Sequence, residues 1–198
     1  MWNERYRAPG YLFGVEPALF LQRERGRLTP GLKALAIADG EGRNSVFMAE
    51  QGLAVDAFDA SEVGLAKARA LAAERGVEVA YHLAGIEEWP WTPEAYDLVV
   101  AIFIQFASPA ERGPLFDRMK ETLKPGGTLL LHGYRPKQIE YGTGGPPHAE
   151  NMYDEALLRD AFGDLEIERL ESYDREIDEG PGHSGMSALI DLVARKPG

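Results

Sequence analysis

The chain has 198 residues, of which 44% are hydrophobic and 27% are charged, a composition typical of a globular protein large enough for one domain with its own core. Its formal net charge of −11 argues against sequence-independent binding to DNA or RNA, because neutralising phosphates requires a basic surface. The absence of cysteine excludes disulfides, thiolate metal ligands and cysteine nucleophiles together.

Residues 1–6 are polar and aromatic and lack the pattern of a signal peptide. No apolar run approaches the roughly 20 residues that a membrane-spanning helix needs. We therefore expect a cytoplasmic protein, monomeric or homodimeric, that acts on a small molecule without a nucleic-acid or membrane partner. The four histidines are scattered and show no metal-ligand spacing, so no metal site is expected.

The stretch from Ala34 to Asp59 carries the most informative pattern in the chain. An apolar run over 34–38 is followed by Asp39-Gly40-Glu41-Gly42-Arg43-Asn44, a predicted helix, and a second predicted strand over 55–58. The half-fold that binds adenosine-containing cofactors has this order of elements, namely a strand, a glycine turn, a helix, and a second strand that ends in an acidic residue.

Asp59 ends the second strand, and its position predicts hydrogen bonds to ribose hydroxyls. Ser45 stands where dinucleotide-binding folds have a third glycine, three residues after Gly42. A pyrophosphate is therefore the less expected ligand of this loop.

Strands and helices alternate along the rest of the chain. Helices are predicted at 44–51 and after three capping residues, Ser61, Ser108 and Asp154, and strands at 77–81, 96–103, 128–132, about 165–171 and 187–194. This alternation predicts an α/β fold, a three-layer Rossmann-like sandwich around a seven-stranded, mostly parallel sheet. The last two strands, separated by a long loop, predict a C-terminal antiparallel hairpin. We predict one domain over 1–198, with an N-terminal lid segment at 1–30 and a Rossmann-like core at 31–198.

The chain resembles the class I S-adenosylmethionine-dependent methyltransferases from Leu35 to Lys196. The motifs that carry the resemblance are Asp39-Gly40-Glu41-Gly42-Arg43-Asn44, Asp59-Ala60-Ser61, Tyr96-Asp97-Leu98-Val99-Val100 and Leu123-Lys124-Pro125-Gly126-Gly127. With the aromatic N-terminal residues, they resemble the small tellurite-resistance and thiopurine-methyltransferase-like branch. This resemblance implies methyl transfer from S-adenosylmethionine, giving S-adenosylhomocysteine, to a small acceptor such as a thiol, a thiopurine or a tellurium or selenium oxyanion.

The resemblance also implies the cofactor-binding residues. These are Ala38, Asp39, Gly40, Glu41 and Gly42 at the methionine part, Asp59 at the ribose, Ala60 and Ser61 beside the adenosine, Gly85 and Ile86 at the adenine, and Ala101, Ile102 and Phe103 near the methyl group.

Two positions depart from the family pattern. Gly85 stands where many relatives have an acid that accepts the adenine amino group, so a backbone group or Glu87 is expected to take that role. Ala36 stands where many relatives have an acid in the first strand. Asp39 then either contacts the cofactor's ammonium or caps the following helix.

Aromatic and polar side chains outside these motifs are candidates for the lid and the acceptor site. The lid candidates are Trp2, Tyr6, Tyr11 and Phe13, which alternatively dock a terminal helix on the core. The acceptor side is expected in the loop 133–151, with Arg135 and Tyr141 as contacts and Tyr134 and His148 as candidate catalytic groups. His132 and His183 are either site residues or structural histidines, and no residue is assigned as a base.

Two rival functions stay open at this point. A nicotinamide-dependent oxidoreductase is disfavoured by Ser45 and by the terminal hairpin. A non-catalytic S-adenosylmethionine-binding module is kept open by Ala36 and Gly85.

Overall fold

The sheet has seven strands, which are β1 (Lys33–Ile37), β2 (Ala54–Asp59), β3 (Ala80–Leu83), β4 (Tyr96–Ile102), β5 (Leu123–Tyr134), β6 (Glu166–Asp178) and β7 (Ser184–Arg195). Their order in the sheet is β3-β2-β1-β4-β5-β7-β6. The pairs β1–β2, β2–β3 and β4–β5 are parallel, whereas β7 pairs antiparallel with both β5 and β6. The predicted α/β fold, with a mostly parallel seven-stranded sheet and a C-terminal antiparallel hairpin, is confirmed.

Seven α-helices accompany the strands. They are α1 (Trp2–Arg5), α2 (Leu19–Arg23), α3 (Arg43–Glu50), α4 (Glu62–Arg75), α5 (Pro109–Thr122), α6 (Gln138–Tyr141) and α7 (Glu155–Phe162). Short 3-10 turns lie at Arg25–Arg27 and Ala149–Asn151. None of these helices is long and apolar enough to cross a bilayer.

The computed structural model describes residues 1–198, which fall into two compact units. The first unit contains residues 1–90 and 179–182, and the second contains residues 91–178 and 183–198. The single domain with a lid over 1–30 stays a prediction.

In the first unit, α4 begins at the cap that the sequence predicts. The Ser61 hydroxyl accepts the Gly64 N–H at 3.0 Å, and Gly76 ends the helix in the left-handed conformation at φ +68°. The N–H of Val77 then bonds to the carbonyl of Ala72 at 3.0 Å, which completes a Schellman-type cap. Because residue 77 belongs to this cap, β3 begins three residues later than predicted.

In the second unit, two helices also begin at their predicted caps. Ser108 and Glu111 form a reciprocal capping box at the start of α5, and the Asp154 carboxylate accepts the Leu157 N–H at 2.8 Å at the start of α7. The strand β5 is longer than predicted, because Leu123 already pairs with β4 and residues 124–127 form an irregularity inside the strand.

The C-terminal hairpin differs most from the sequence-based expectation. The strands β6 and β7 pair along their whole lengths, so the predicted long loop is wrong and only the turn 179–183 connects them. The charged run 174–178 lies on β6, the last strand in the order of the sheet, where polar side chains can face water. The partner strand β7 is buried from residue 187 to residue 194, whereas its residues 184–186, which pair with 176–178, are exposed or half-buried.

Candidate functional site

The loop between β1 and α3 is a tight glycine turn. Ala38, a residue with a side chain, has φ +48°, and Gly40 and Gly42 have φ +62° and +92°. A Cβ added at Gly42 would lie 2.7 Å from the Cβ of Ala68 on α4, so only glycine lets the loop pack this closely. The predicted glycine loop is therefore a sterically constrained turn at the carboxyl end of β1.

Asp59, at the end of β2, connects this loop to the start of α4. Its side chain is buried, with one carboxylate oxygen accepting the Gly40 N–H at 2.9 Å and the other accepting the Ser61 N–H at 2.8 Å. Burial raises the pKa of the Asp59 carboxyl, and the two backbone donors lower it. Each oxygen retains a second acceptor lone pair, so the carboxylate suits a ligand with two neighbouring hydroxyl groups.

Asp39 lies inside the glycine loop and caps α3. Its carboxylate accepts the Ser45 N–H at 3.2 Å and a further hydrogen bond from the Ser45 hydroxyl. Burial raises the pKa of Asp39 to about 7, and the nearby charge of Asp59 makes a smaller contribution in the same direction. The hydrogen bonds from Ser45 lower the pKa and offset part of this effect. The capping role of Asp39 is present in the structure, and its contact with a cofactor ammonium stays a prediction.

The aromatic N-terminal residues pack on the glycine loop. Tyr6 is 4% exposed, and its hydroxyl lies 2.7 Å from the position that a Cβ on Gly40 would take. The ring also lies against Gly64 of α4, stacks on Trp2 at 5.6 Å and meets Phe13 edge-on at 6.3 Å. Burial and the charge of the nearby carboxylates raise the pKa of Tyr6 above its usual range. Residues 2–13 are called the N-terminal segment below.

Polar contacts hold the N-terminal segment in place. The Asn3 side-chain oxygen accepts the Ser61 hydroxyl at 2.6 Å. Glu41 is buried, accepts the Leu12 N–H at 2.8 Å and pairs with the Lys67 ammonium at 3.0 Å. The same ammonium donates to the carbonyls of residues 8 and 10 at 2.8 and 2.6 Å. Glu41, predicted beside the methionine part of a cofactor, therefore contacts the N-terminal segment.

The turn after β3 contains two residues that sequence reasoning missed. A Cβ added at Gly85 would clash with the Glu88 carboxylate, so glycine at this position leaves room for the Glu88 side chain. The Trp89 N–H closes the turn on the Gly85 carbonyl at 3.1 Å, and its ring stacks on Phe58 at 4.7 Å. The Trp89 indole N–H is buried without a hydrogen-bond partner. The acidic residue at position 88 was the signal that could have identified the site, since it lies in the same short turn as Gly85.

In the second unit, Phe103 follows β4 and lies among buried polar aromatics. Its φ is +55°, and its N–H donates to the His132 carbonyl at 2.9 Å. Its ring is 4.2 Å from that of His183, 4.7 Å from Tyr134 and 4.9 Å from His132. The Tyr134 hydroxyl is hydrogen-bonded to His183 Nδ1. A residue with a side chain at positive φ costs about 1–3 kcal/mol, and such strain often marks a functional position.

A buried histidine–aspartate hydrogen bond lies beside Phe103. His132 Nδ1 is 2.6 Å from Asp191 Oδ1, and the two residues face each other directly across β5 and β7. The Asp191 side chain is fully buried, and the Tyr173 hydroxyl donates to it at 3.0 Å. Asp191 was not predicted from the sequence, although an acidic residue inside the apolar run of β7 was the available signal. Phe103, His132, Tyr134, His183 and Asp191 are called the Phe103 cluster below.

The remaining predicted residues have other surroundings. Arg135 and Tyr141 both contact the Asp174 carboxylate, Tyr141 at 2.8 Å and Arg135 through an ion pair. His148 is exposed and lies 3.7 Å from Glu150, outside the Phe103 cluster. Ala60 is exposed, Ile86 is half-buried, and Ala101 and Ile102 are buried in β4. No group of three or more histidine, aspartate or glutamate side chains is arranged to hold a metal ion.

Residues 34–127 match the family model described as a methyltransferase domain. An uncharacterized protein of Mycobacterium tuberculosis is 27% identical over 167 residues, which cover 72% of this chain and 60% of the relative. The matched part of the chain thus spans less than two thirds of the relative's length.

Two solved structures share the fold. One was solved for the conversion of a disulfide bond into a thioacetal group during echinomycin biosynthesis. It has a TM-score of 0.79 at 18% identity, and the match covers 99% of this chain and 91% of the solved chain. The other, TehB from Haemophilus influenzae, has a TM-score of 0.71 at 21% identity and covers 88% of this chain and 60% of its own. The predicted resemblance to methyltransferases is confirmed, and the similarity to TehB is one of fold.

Proposed function

Because residues 34–127 match the family model of a methyltransferase domain, we propose that this chain transfers a methyl group from S-adenosylmethionine to a small-molecule acceptor and releases S-adenosylhomocysteine. The observation that carries the proposal is the glycine loop bonded to Asp59 at the end of β2. We further propose an acceptor with a soft nucleophile, such as a thiol, a thiopurine or a tellurium or selenium oxyanion. The support is the similarity to TehB and to the structure from the conversion of a disulfide bond into a thioacetal group during echinomycin biosynthesis.

The donor supplies an electrophilic methyl group on a sulfonium, which any well-placed nucleophile can attack in line. The contribution of the chain is then to hold the two reactants in line and to keep water out. In this proposal the N-terminal segment is the lid, and the acceptor side includes Tyr134, Arg135, Tyr141 and His148. The enzyme would act in the cytoplasm, as a monomer or homodimer, and the net charge of −11 argues against a nucleic-acid partner.

The residues present fit the proposed donor. The spare lone pairs of Asp59 suit the ribose hydroxyls, and the glycines allow close approach of the loop backbone. The other proposed contacts are Ala38, Asp39 and Glu41 at the methionine part, Ala60 and Ser61 beside the adenosine, Ile86 at the adenine, and Ala101 and Phe103 near the methyl group. They are the residues that the resemblance of the sequence implies, and all of them lie within the matched residues 34–127.

We assign the adenine amino group to Glu88 instead of a side chain at position 85. The Glu88 carboxylate occupies the space beside Gly85 that a side chain at 85 would need, so the acidic acceptor is supplied from three residues further along the turn. The unpartnered indole N–H of Trp89 in the same turn is a donor suited to a ring nitrogen of adenine.

Glu88→Gln should weaken S-adenosylhomocysteine binding about tenfold. A hydrogen bond to a charged group contributes about 1.5–3 kcal/mol, and because Glu88 is exposed its contribution lies at the low end of that range. Calorimetry should also show that wild type prefers the adenine ligand to its hypoxanthine analogue, which lacks the amino group, and that the variant has lost this preference. Glu87→Gln is the matched control and should retain both affinity and preference. A loss of preference in Glu87→Gln alone would assign the contact to Glu87 instead.

The function itself is tested by titrating the purified chain with S-adenosylhomocysteine and, separately, with reduced nicotinamide dinucleotide. We expect binding of the first alone, followed by methyl transfer to thiols when S-adenosylmethionine is supplied. Binding of the nicotinamide alone, or of neither ligand, would overturn the proposal. Binding of S-adenosylhomocysteine without transfer to any acceptor would favour a non-catalytic binding module.

A further inference from the structure

We propose that His132 and Asp191 form a proton-accepting pair for the methyl acceptor, so that this chain can use thiols that are still protonated at neutral pH. The inference rests on the proposed function and adds a catalytic residue, His132, and a positioning residue, Asp191. Its basis is the arrangement of the buried pair beside Phe103.

The burial of Asp191 is costly for the fold. Its neighbours along β7, residues 188–190 and 192–194, are all buried and apolar. Removing a carboxylate from water costs several kcal/mol, and two apolar residues at these facing positions of β5 and β7 would hold the strands together without that cost. The pair therefore has a stronger rationale as a functional group than as a structural link.

The hydrogen bond to Asp191 sets the orientation of the imidazole. With Asp191 ionised, His132 Nδ1 carries the proton and donates it across 2.6 Å. In that tautomer Nε2 is the basic nitrogen of the neutral ring. The Tyr173 hydroxyl, on β6, donates to the same carboxylate oxygen at 3.0 Å and helps to fix it.

The position of Phe103 connects the pair with the reaction. The resemblance puts the end of β4 near the transferred methyl group, and the Phe103 ring lies edge-on to His132 at 4.9 Å. Within the Phe103 cluster only Phe103 is half-buried, while the other members are buried. An acceptor that displaces the Phe103 ring reaches the His132 imidazole from the end of β4, where the transferred methyl group is expected.

The step balances as a proton transfer coupled to a substitution. His132 Nε2 takes the proton of the acceptor S–H, and the sulfur electron pair forms the new bond to the methyl carbon. The old carbon–sulfur bond breaks, and its electrons neutralise the donor sulfonium. The imidazolium, stabilised by Asp191, then releases its proton to water.

The test compares two thiols at pH 7. 2-Mercaptoethanol is mostly protonated at this pH, whereas thionitrobenzoate is already ionised and needs no base. We expect His132→Gln and Asp191→Asn to lower kcat about a hundredfold with 2-mercaptoethanol but less than about threefold with thionitrobenzoate. Glu166→Gln removes an exposed ion pair with Arg195 elsewhere on the same hairpin, and it should retain the activity with both thiols.

Calorimetry separates the possible failures. All three variants should bind S-adenosylhomocysteine as wild type does, which also shows that they are folded. Equal losses with both thiols would mean that the pair is structural and would overturn this inference alone. If the wild-type protein methylates thionitrobenzoate but not 2-mercaptoethanol, the inference is overturned as well. Wild type that binds the product but methylates neither thiol would overturn both the pair and the thiol acceptor, and wild type without product binding would overturn the proposed function.

Discussion

Asp59→Ala should weaken S-adenosylhomocysteine binding about a thousandfold. Two hydrogen bonds from ribose hydroxyls to a carboxylate contribute about 1.5–3 kcal/mol each, and both are lost in the variant. The variant also releases the Gly40 N–H, which the Asp59 carboxylate holds at 2.9 Å, so the glycine loop loses its anchor. Calorimetric titration measures the affinity, and a thermal melt reports whether the chain is still folded.

Two further variants separate binding from stability. Asp59→Asn keeps one acceptor oxygen for the backbone donors and should therefore melt closer to wild type while still binding weakly. Asp154→Ala removes the cap of α7 in the second unit and should cost about 1 kcal/mol of stability with no change in affinity. A folded Asp59→Ala variant with wild-type affinity would contradict the role of Asp59 in holding the ribose.

The affinity for S-adenosylhomocysteine should rise with pH until about pH 7 and then level off. The pKa of Asp39 is raised to about 7, so below that pH the carboxyl carries a proton that a cofactor ammonium must displace. Each pH unit below the pKa then costs up to tenfold in affinity, or about thirtyfold between pH 5.5 and pH 8. Titrations in two buffers of different ionisation enthalpy measure the affinity and the released proton together.

The stability of the ligand-free chain should change with pH in the opposite direction. Because the folded pKa of Asp39 lies above the ordinary value of 3.8, the folded state holds the proton more tightly than the unfolded state does. The resulting stabilisation is complete below pH 3.8 and is lost as the pH rises to about 7. Asp39→Asn should flatten both profiles. A wild-type affinity that does not vary with pH would leave Asp39 with its capping role alone.

Local patterns predicted the fold well where one side chain decides the structure. Ser61, Ser108 and Asp154 begin helices as expected, since each offers an oxygen to a backbone N–H within its own helical turn. The glycine loop and Asp59 were likewise predictable, because the turn needs positive φ and the acid ends a strand at a fixed spacing.

Features that depend on pairing between distant segments were not predictable. The charged run of β6 was expected in a loop, because its pairing with β7 is not visible in the local sequence. The contact of His132 with Asp191 and that of Phe103 with His183 join residues far apart in the chain, and no local pattern predicts them. Glu88 was missed for a smaller reason, since the turn that brings it beside Gly85 is irregular.

The contacts of Glu41 give the glycine loop and the N-terminal segment a shared equilibrium. A buried carboxylate in the loop holds the Leu12 N–H and the Lys67 ammonium, which in turn holds two carbonyls of the segment. Opening the segment therefore leaves Glu41 short of partners, and loosening the loop releases the segment. By thermodynamic reciprocity, any ligand that orders the loop retains the segment to the same extent that the segment retains the ligand.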